Sequence, residues 1–166
     1  LKQGQSLLLH KKLKMNFDNL KPQVIDILSE NNLNREVKLK NLCQFLSDSV
    51  EYYNWVGFYF ANHEAKTLHL GPYVGAETDH TIIPFGKGIC GQVALSNETF
   101  RVDDVNEQDN YISCNINVKS ELVVPFFVNG KNIGQIDIDS NLINAFNEED
   151  EDLLTFTNQL LSKHYN

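Results

Sequence analysis

The sequence predicts an α+β fold, a single domain made of an antiparallel β-sheet with helices packed on it. Apolar residues recur at helical spacing at the start of the chain and again at its end. Between them lie short aromatic and β-branched runs, several joined by turns too brief for a crossover helix, which favours antiparallel pairing. The 166 residues are 42% hydrophobic and contain no repeat or low-complexity linker, as one sizeable core requires.

In residues 20–30, Leu20, Val24, Ile27 and Leu28 mark one helical face, and in 34–50 Val37, Leu39, Leu42, Phe45, Leu46 and Val50 mark another. "NWVGFYF" (54–60) then reads as a strand, "ANHEAK" as a turn and "TLHLGPYVG" (67–75) as the partner strand. "IIPFGKGICGQVALSN" passes from strand through a glycine-rich turn to a short helix over 89–96, and "TFRVDDV" gives another strand. Residues 106–120 are polar and irregular. Asn129-Gly130 is the strongest hairpin signal in the chain, between the β runs of "ELVVPFFVNGKNIGQIDIDS". The last helix follows Asn147, whose side chain suits an N-cap; acids fill its first turn and Lys163 and His164 its end, matching the helix dipole. All helices are expected on one face of the sheet.

Charge bounds the partners. Residues 1–14 hold Lys2, Lys11, Lys12 and Lys14 and no acid, so removing those four charges from the total of −8 leaves −12 on residues 15–166. Such an acidic body disfavours nucleic acid and anionic membrane. No apolar run reaches the length of a membrane span. Residues 1–14 are expected to be a leader or extension outside the core, and 15–166 the domain. Cys43, Cys90 and Cys114 show neither disulfide-framework nor metal-ligand spacing, so a reducing, cytoplasmic setting and no metal site are expected.

Candidate chemistry starts with the thiols. In "GKGICG", Cys90 opens a helix near Lys87, and both features favour thiolate; a small residue packed under a helix gives the same letters. Cys114 sits in the polar run "NYISCNINVKSE", 24 residues later, as a mobile thiol able to reach a second thiol, or as an incidental loop cysteine. Cys43, beside Leu42, reads as a core filler. In "GQIDIDS", Gln135, Asp137 and Asp139 alternate against Ile136 and Ile138. Counting outward from the Asn-Gly turn, Glu121 opposes Ile138 and neighbours Asp139. The three carboxylates form either a cluster with a raised carboxyl pKa, able to donate a proton or clamp an ammonium, or an ordinary solvated strand face. Trp55 is a core ring or the wall of a small apolar pocket.

Together "NWVGFY", "LGPY-G", "IPFGKGICG", "SC…KSELVVPF", "IGQIDIDS" and "F…ED…L", in order from Asn54 to Leu154, resemble the free methionine-(R)-sulfoxide reductases, a family of GAF-type fold. The resemblance implies a GAF-like domain that reduces free L-methionine (R)-sulfoxide to methionine. It also implies no bound cofactor, with thioredoxin and NADPH as external reductant, and is compatible with a homodimer. By the same resemblance Cys114 attacks the sulfoxide sulfur and Cys90 resolves the sulfenic acid as an intramolecular disulfide, roles that differ among members. Glu121, Asp137 and Asp139 bind substrate and protonate its oxygen, and Trp55 bounds the methyl pocket. The sequence departs from the family pattern at His80, where a third cysteine is common, and at Asn115 and Tyr111, where Asp and His are familiar. A non-catalytic GAF module that binds a small ligand or senses redox state is the alternative.

Overall fold

Each helix start carries a local cause. Asn34 accepts a hydrogen bond from the Val37 N–H and opens α2 (Arg35–Ser49), while Pro22 lies in the first turn of α1 (Lys21–Ser29). Asn147 accepts from the Glu149 and Asp150 N–H groups and Asp150 reaches back to the Asn147 N–H, a capping box for the last helix, Glu148–Lys163. The computed structural model describes residues 16–112 and 115–165, so the proposed leader and Cys114 lie outside the described residues.

Six strands follow α2 in the chain: β1 (Trp55–Asn62), β2 (Thr67–Val74), β3 (Ile82–Pro84), β4 (Phe100–Val102), β5 (Ser120–Val128) and β6 (Lys131–Ser140). The short helix α3 (Gly88–Ser96) separates β3 from β4, and α4 is the last helix, Glu148–Lys163. The sheet order is β3-β2-β1-β6-β5-β4, with every neighbouring pair antiparallel. The expected strand over 99–105 shrinks to three residues at the sheet edge, a length that limits edge-to-edge pairing.

The helices occupy both faces, correcting the expectation of one. Helices α1, α2 and α4 cover the face of Val56, Phe58, Leu122, Val124, Phe126, Ile136 and Ile138. On the other face α3 lays Ile89, Cys90, Val93 and Ala94 against Trp55, Tyr59, Leu68 and Val123. The amphipathic α1, α2 and α4 bury an apolar stripe on the all-apolar face. The nine-residue α3, apolar around most of its circumference, covers the mixed one. Among the described residues no helix is long and apolar enough to cross a membrane.

One register detail decides the site. Asn129 and Gly130 have φ of 52° and 76°, the mirror-image turn expected of Asn-Gly, and the first pairs are Val128 with Lys131 and Phe127 with Asn132. Phe126 then pairs with Gly134, leaving Ile133 as the extra residue of a β-bulge. From there on the register is offset by one, and Glu121 faces Asp139 rather than Ile138. Counting from the turn alone misses this because it assumes an unbroken ladder, and the extra residue breaks it. Its effect is large: a one-residue slip moves a side chain to the opposite face.

A polar knot ties the helical face to the sheet. Buried Asp150 accepts hydrogen bonds on Oδ1 from the hydroxyls of Tyr52 (2.8 Å) and Tyr53 (2.9 Å), and on Oδ2 from the Asn147 N–H (2.8 Å). The turn before β1 is thereby fastened to the start of α4. Burial, and then the charge of Asp150, hold both tyrosine pKa values well above their ordinary value.

Candidate active site

Three strands assemble the site on one face of the sheet. β1 pairs Trp55 with Asp139, Gly57 with Asp137 and Tyr59 with Gln135. On its other side the bulged β6 pairs with β5, which sets Glu121 opposite Asp139 and Val123 opposite Asp137. Directly opposed residues share a face, so Glu121, Asp137, Asp139, Gln135 and Trp55 converge. All five are buried; Asp137 is only 2% exposed. Burial excludes the solvated-strand reading of "GQIDIDS".

α3 brings Cys90 onto this cluster. Its Sγ lies 3.2 Å from Asp137 Oδ2 and 3.8 Å from Glu121 Oε1, as a thiol donor to both. The expected support from Lys87 is replaced: the helix starts at Gly88, so Cys90 is its third residue, and the side chain turns inward to the carboxylates. Gln135 Nε2 donates to the Cys90 carbonyl at 3.1 Å, pinning the helix to β6. Glycine makes the approach feasible. A Cβ on Gly91 would stand 2.5 Å from the Pro84 carbonyl oxygen, and the Gly86 N–H donates to the Gly91 carbonyl at 2.7 Å.

Burial shapes the electrostatics. Desolvation, followed by the charges of Asp137 and Asp139, pushes the Glu121 carboxyl well above the usual carboxylate range. Desolvation and the charge of Asp137 do the same to Asp139. Asp137 is raised to about 6, with the Cys90 thiol and Glu121 pulling it partly back. Buried carboxyls whose pKa values are raised hold their protons more tightly than exposed ones and can serve as proton donors beside a thiol.

Trp55 forms the adjoining wall. Its ring stacks on Tyr73 (5.2 Å, 19°) and its Nε1–H donates to the Ala76 carbonyl at 3.1 Å. A cavity of about 90 Å³ opens against Trp55 and Asp139, closed by Thr78, Asn115 and Val118. Gly57 and Gly75 give the indole its room: a Cβ on either would fall within 2.5 Å of a ring atom.

Asn110 was missed in the sequence, where it is one polar residue among many. Its Oδ1 accepts from the Gly88 N–H at 3.1 Å and its Nδ2 donates to the Gly86 carbonyl at 2.7 Å, while Gln92 donates to the Gly88 and Asn110 carbonyls. It fastens the root of the loop that leads to Cys114 onto the turn that leads to Cys90. His80, at the family's third-cysteine position, uses its carbonyl to accept from the Tyr59 hydroxyl at 3.0 Å. Cys43 is buried on the far side of the sheet, its thiol raised to about 12 by burial, consistent with a core filler.

A buried thiol and carboxyls under a curled antiparallel sheet, with helices on both faces, define a GAF-domain protein, and the GAF domain family model matches residues 37–162. Protein YtsP of Bacillus subtilis is 37% identical over 84% of this chain and 85% of its own. The free methionine-R-sulfoxide reductase of Escherichia coli is 38% identical over 68% of this chain and 67% of its own. An X-ray structure of the free methionine-R-sulfoxide reductase from Neisseria meningitidis with its substrate superposes with a TM-score of 0.84 at 32% identity, over 90% of this chain and 87% of that one. The chain belongs to the free methionine-R-sulfoxide reductase family of GAF-domain proteins.

Proposed function

We propose that the chain reduces free L-methionine (R)-sulfoxide to methionine, with two cysteines and external thioredoxin supplying the electrons. One observation carries the reading: the Cys90 thiol lies within 3.2–3.8 Å of two buried carboxyls whose pKa values burial raises. Sulfoxide reduction needs a thiol and a proton source in the same pocket, because the oxygen leaves only once protonated.

The Cys114 thiolate attacks the sulfoxide sulfur while a carboxyl of the Glu121–Asp137–Asp139 group protonates the oxygen. The hydroxyl then passes from the substrate sulfur to the Cys114 sulfur as the transient Cys114–substrate S–S bond breaks, so methionine leaves and Cys114 carries the oxygen as a sulfenic acid. The Cys90 thiol then attacks that sulfur, water departs and a Cys90–Cys114 disulfide remains. A thioredoxin dithiol reduces the disulfide by exchange and is itself regenerated from NADPH. Trp55 bounds the methyl group, and no resident cofactor takes part. With His80 in place of a third thiol, resolution rests on Cys90.

The test is thioredoxin-coupled NADPH consumption with the separate R and S epimers of free methionine sulfoxide. Turnover of the R epimer alone is expected, abolished by Cys114→Ser. Cys90→Ser should complete one stoichiometric turnover and then stall, and loss of that first turnover would exchange the two roles. An inactive wild-type protein that still binds the R epimer would make the chain a ligand-binding GAF module instead.

A further inference from the structure

We infer that Cys90, Glu121 and Asp137 form a binding site for a soft divalent cation, zinc foremost. One donor atom from each residue lies within 4.8 Å of the other two. The Cys90 Sγ is 3.2 Å from Asp137 Oδ2 and 3.8 Å from Glu121 Oε1. A tetrahedral zinc ion with a Zn–S bond of about 2.3 Å and Zn–O bonds of about 2.0–2.2 Å has sulfur–oxygen edges of about 3.5 Å. The two sulfur–oxygen separations bracket that edge, so each needs to change by only tenths of an ångström.

A second observation points to a ligand. Asp137 Oδ1 is buried and has no hydrogen-bond partner among the described residues. A buried carboxylate with one oxygen left unpaired is costly, and a cation bound through its other oxygen neutralises its charge. The donors sit on α3, β5 and β6, and Gln135 fixes the Cys90 backbone, so the spacing is held by regular structure rather than by a loop.

The donor set chooses the metal. One sulfur with carboxylate oxygens suits zinc and its softer relatives, whereas calcium and magnesium require six or more oxygen ligands. On binding, Cys90 releases its thiol proton to solvent and the carboxyls release any they hold. Motif spacing is blind to this set because its members, at 90, 121 and 137, come from three separate elements. One consequence rests on the reductase reading: metal and sulfoxide would compete for the same thiol and acids, making zinc an inhibitor of the reduced enzyme.

Cobalt(II) titrated into the full, reduced chain tests the site without turnover. One equivalent should produce a sulfur-to-cobalt charge-transfer band that zinc abolishes by displacement. Cys90→Ser should eliminate the band and Asp137→Asn should weaken binding by about 10- to 100-fold, with far-UV circular dichroism confirming that both variants fold. Cys43→Ser should bind as the wild type does. X-ray absorption of the zinc-loaded wild type should show sulfur and oxygen in one shell, a readout independent of any variant. No band in the wild type, a band that survives Cys90→Ser, or a shell without sulfur would each overturn the site. A protein that gives the band but never reduces sulfoxide keeps the site and loses only the reductase reading.

Discussion

Gly57→Ala tests how the indole wall is held. A Cβ on Gly57 would lie 2.3 Å from Trp55 Cη2, 2.6 Å from Cζ3 and 2.7 Å from the Tyr73 Cβ. Relaxed carbon contacts lie at about 3.5–4.0 Å, so the ring must retreat by about 1.2 Å or the strands must part. Retreat is obstructed: Tyr73 stacks on the ring, Nε1 is held by the Ala76 carbonyl, and a Cβ at Gly75 would fall 2.5 Å from Trp55 Cδ1. Overpacking of this kind costs about 1–3 kcal/mol. In a domain of this length each kcal/mol lowers Tm by about 2–4 °C, giving a fall of about 2–12 °C by circular dichroism. Displacing a substrate-positioning wall by about 1 Å should lower kcat/KM for methionine sulfoxide by about 10- to 100-fold. Gly130→Ala is the control, since at φ 76° a Cβ there meets nothing within 4 Å. It should cost about 1–2 kcal/mol of backbone strain and leave kcat/KM unchanged. A Gly57→Ala protein with wild-type Tm and KM would show that the indole is not pinned and does not bound the pocket.

Other perturbations probe the remaining supports. Asp150→Ala strands two buried tyrosine hydroxyls and removes the reciprocal half of the α4 capping box; a loss of about 3–5 kcal/mol is expected in urea unfolding, with normal specific activity in the folded fraction. The raised carboxyls of Glu121, Asp137 and Asp139 bind more protons in the native state than in the unfolded chain. Their contribution is therefore fully present below about pH 4 and is lost as pH rises through about 6 for Asp137 and through the raised values of the other two. The stability difference between wild type and Asp139→Asn should accordingly shift against the wild type from pH 4.5 to pH 8; a shift in its favour would contradict the burial argument. Asn110→Ala frees the root of the Cys114 loop from Gly86 and Gly88. It should speed hydrogen exchange at the Gly88 amide and slow disulfide formation about tenfold in single-turnover quench, a loss of about 1.4 kcal/mol.

What the sequence determined by itself is chiefly local. Helical spacing, the Asn147 cap and the Asn129-Gly130 turn act over a few residues, so their chemistry can be read where it stands. The motifs that carry the family resemblance are equally contiguous, and they brought Cys90, Glu121, Asp137, Asp139 and Trp55 forward as candidates. The tertiary structure decided what those residues face. The bulge at Ile133 shifts the hairpin by one residue and turns Glu121 toward Asp139 and Cys90 instead of the apolar core. Neither Asn110 nor the tyrosine pair on Asp150 can be recognised without partners 22 to 98 residues away. Periodicity also left "GQIDIDS" undecided between a solvated edge and a buried acid cluster, because both alternate alike. Only α3 lying over that face removes the water, and the loss of water is what raises the carboxyls and gives the thiol its proton donors.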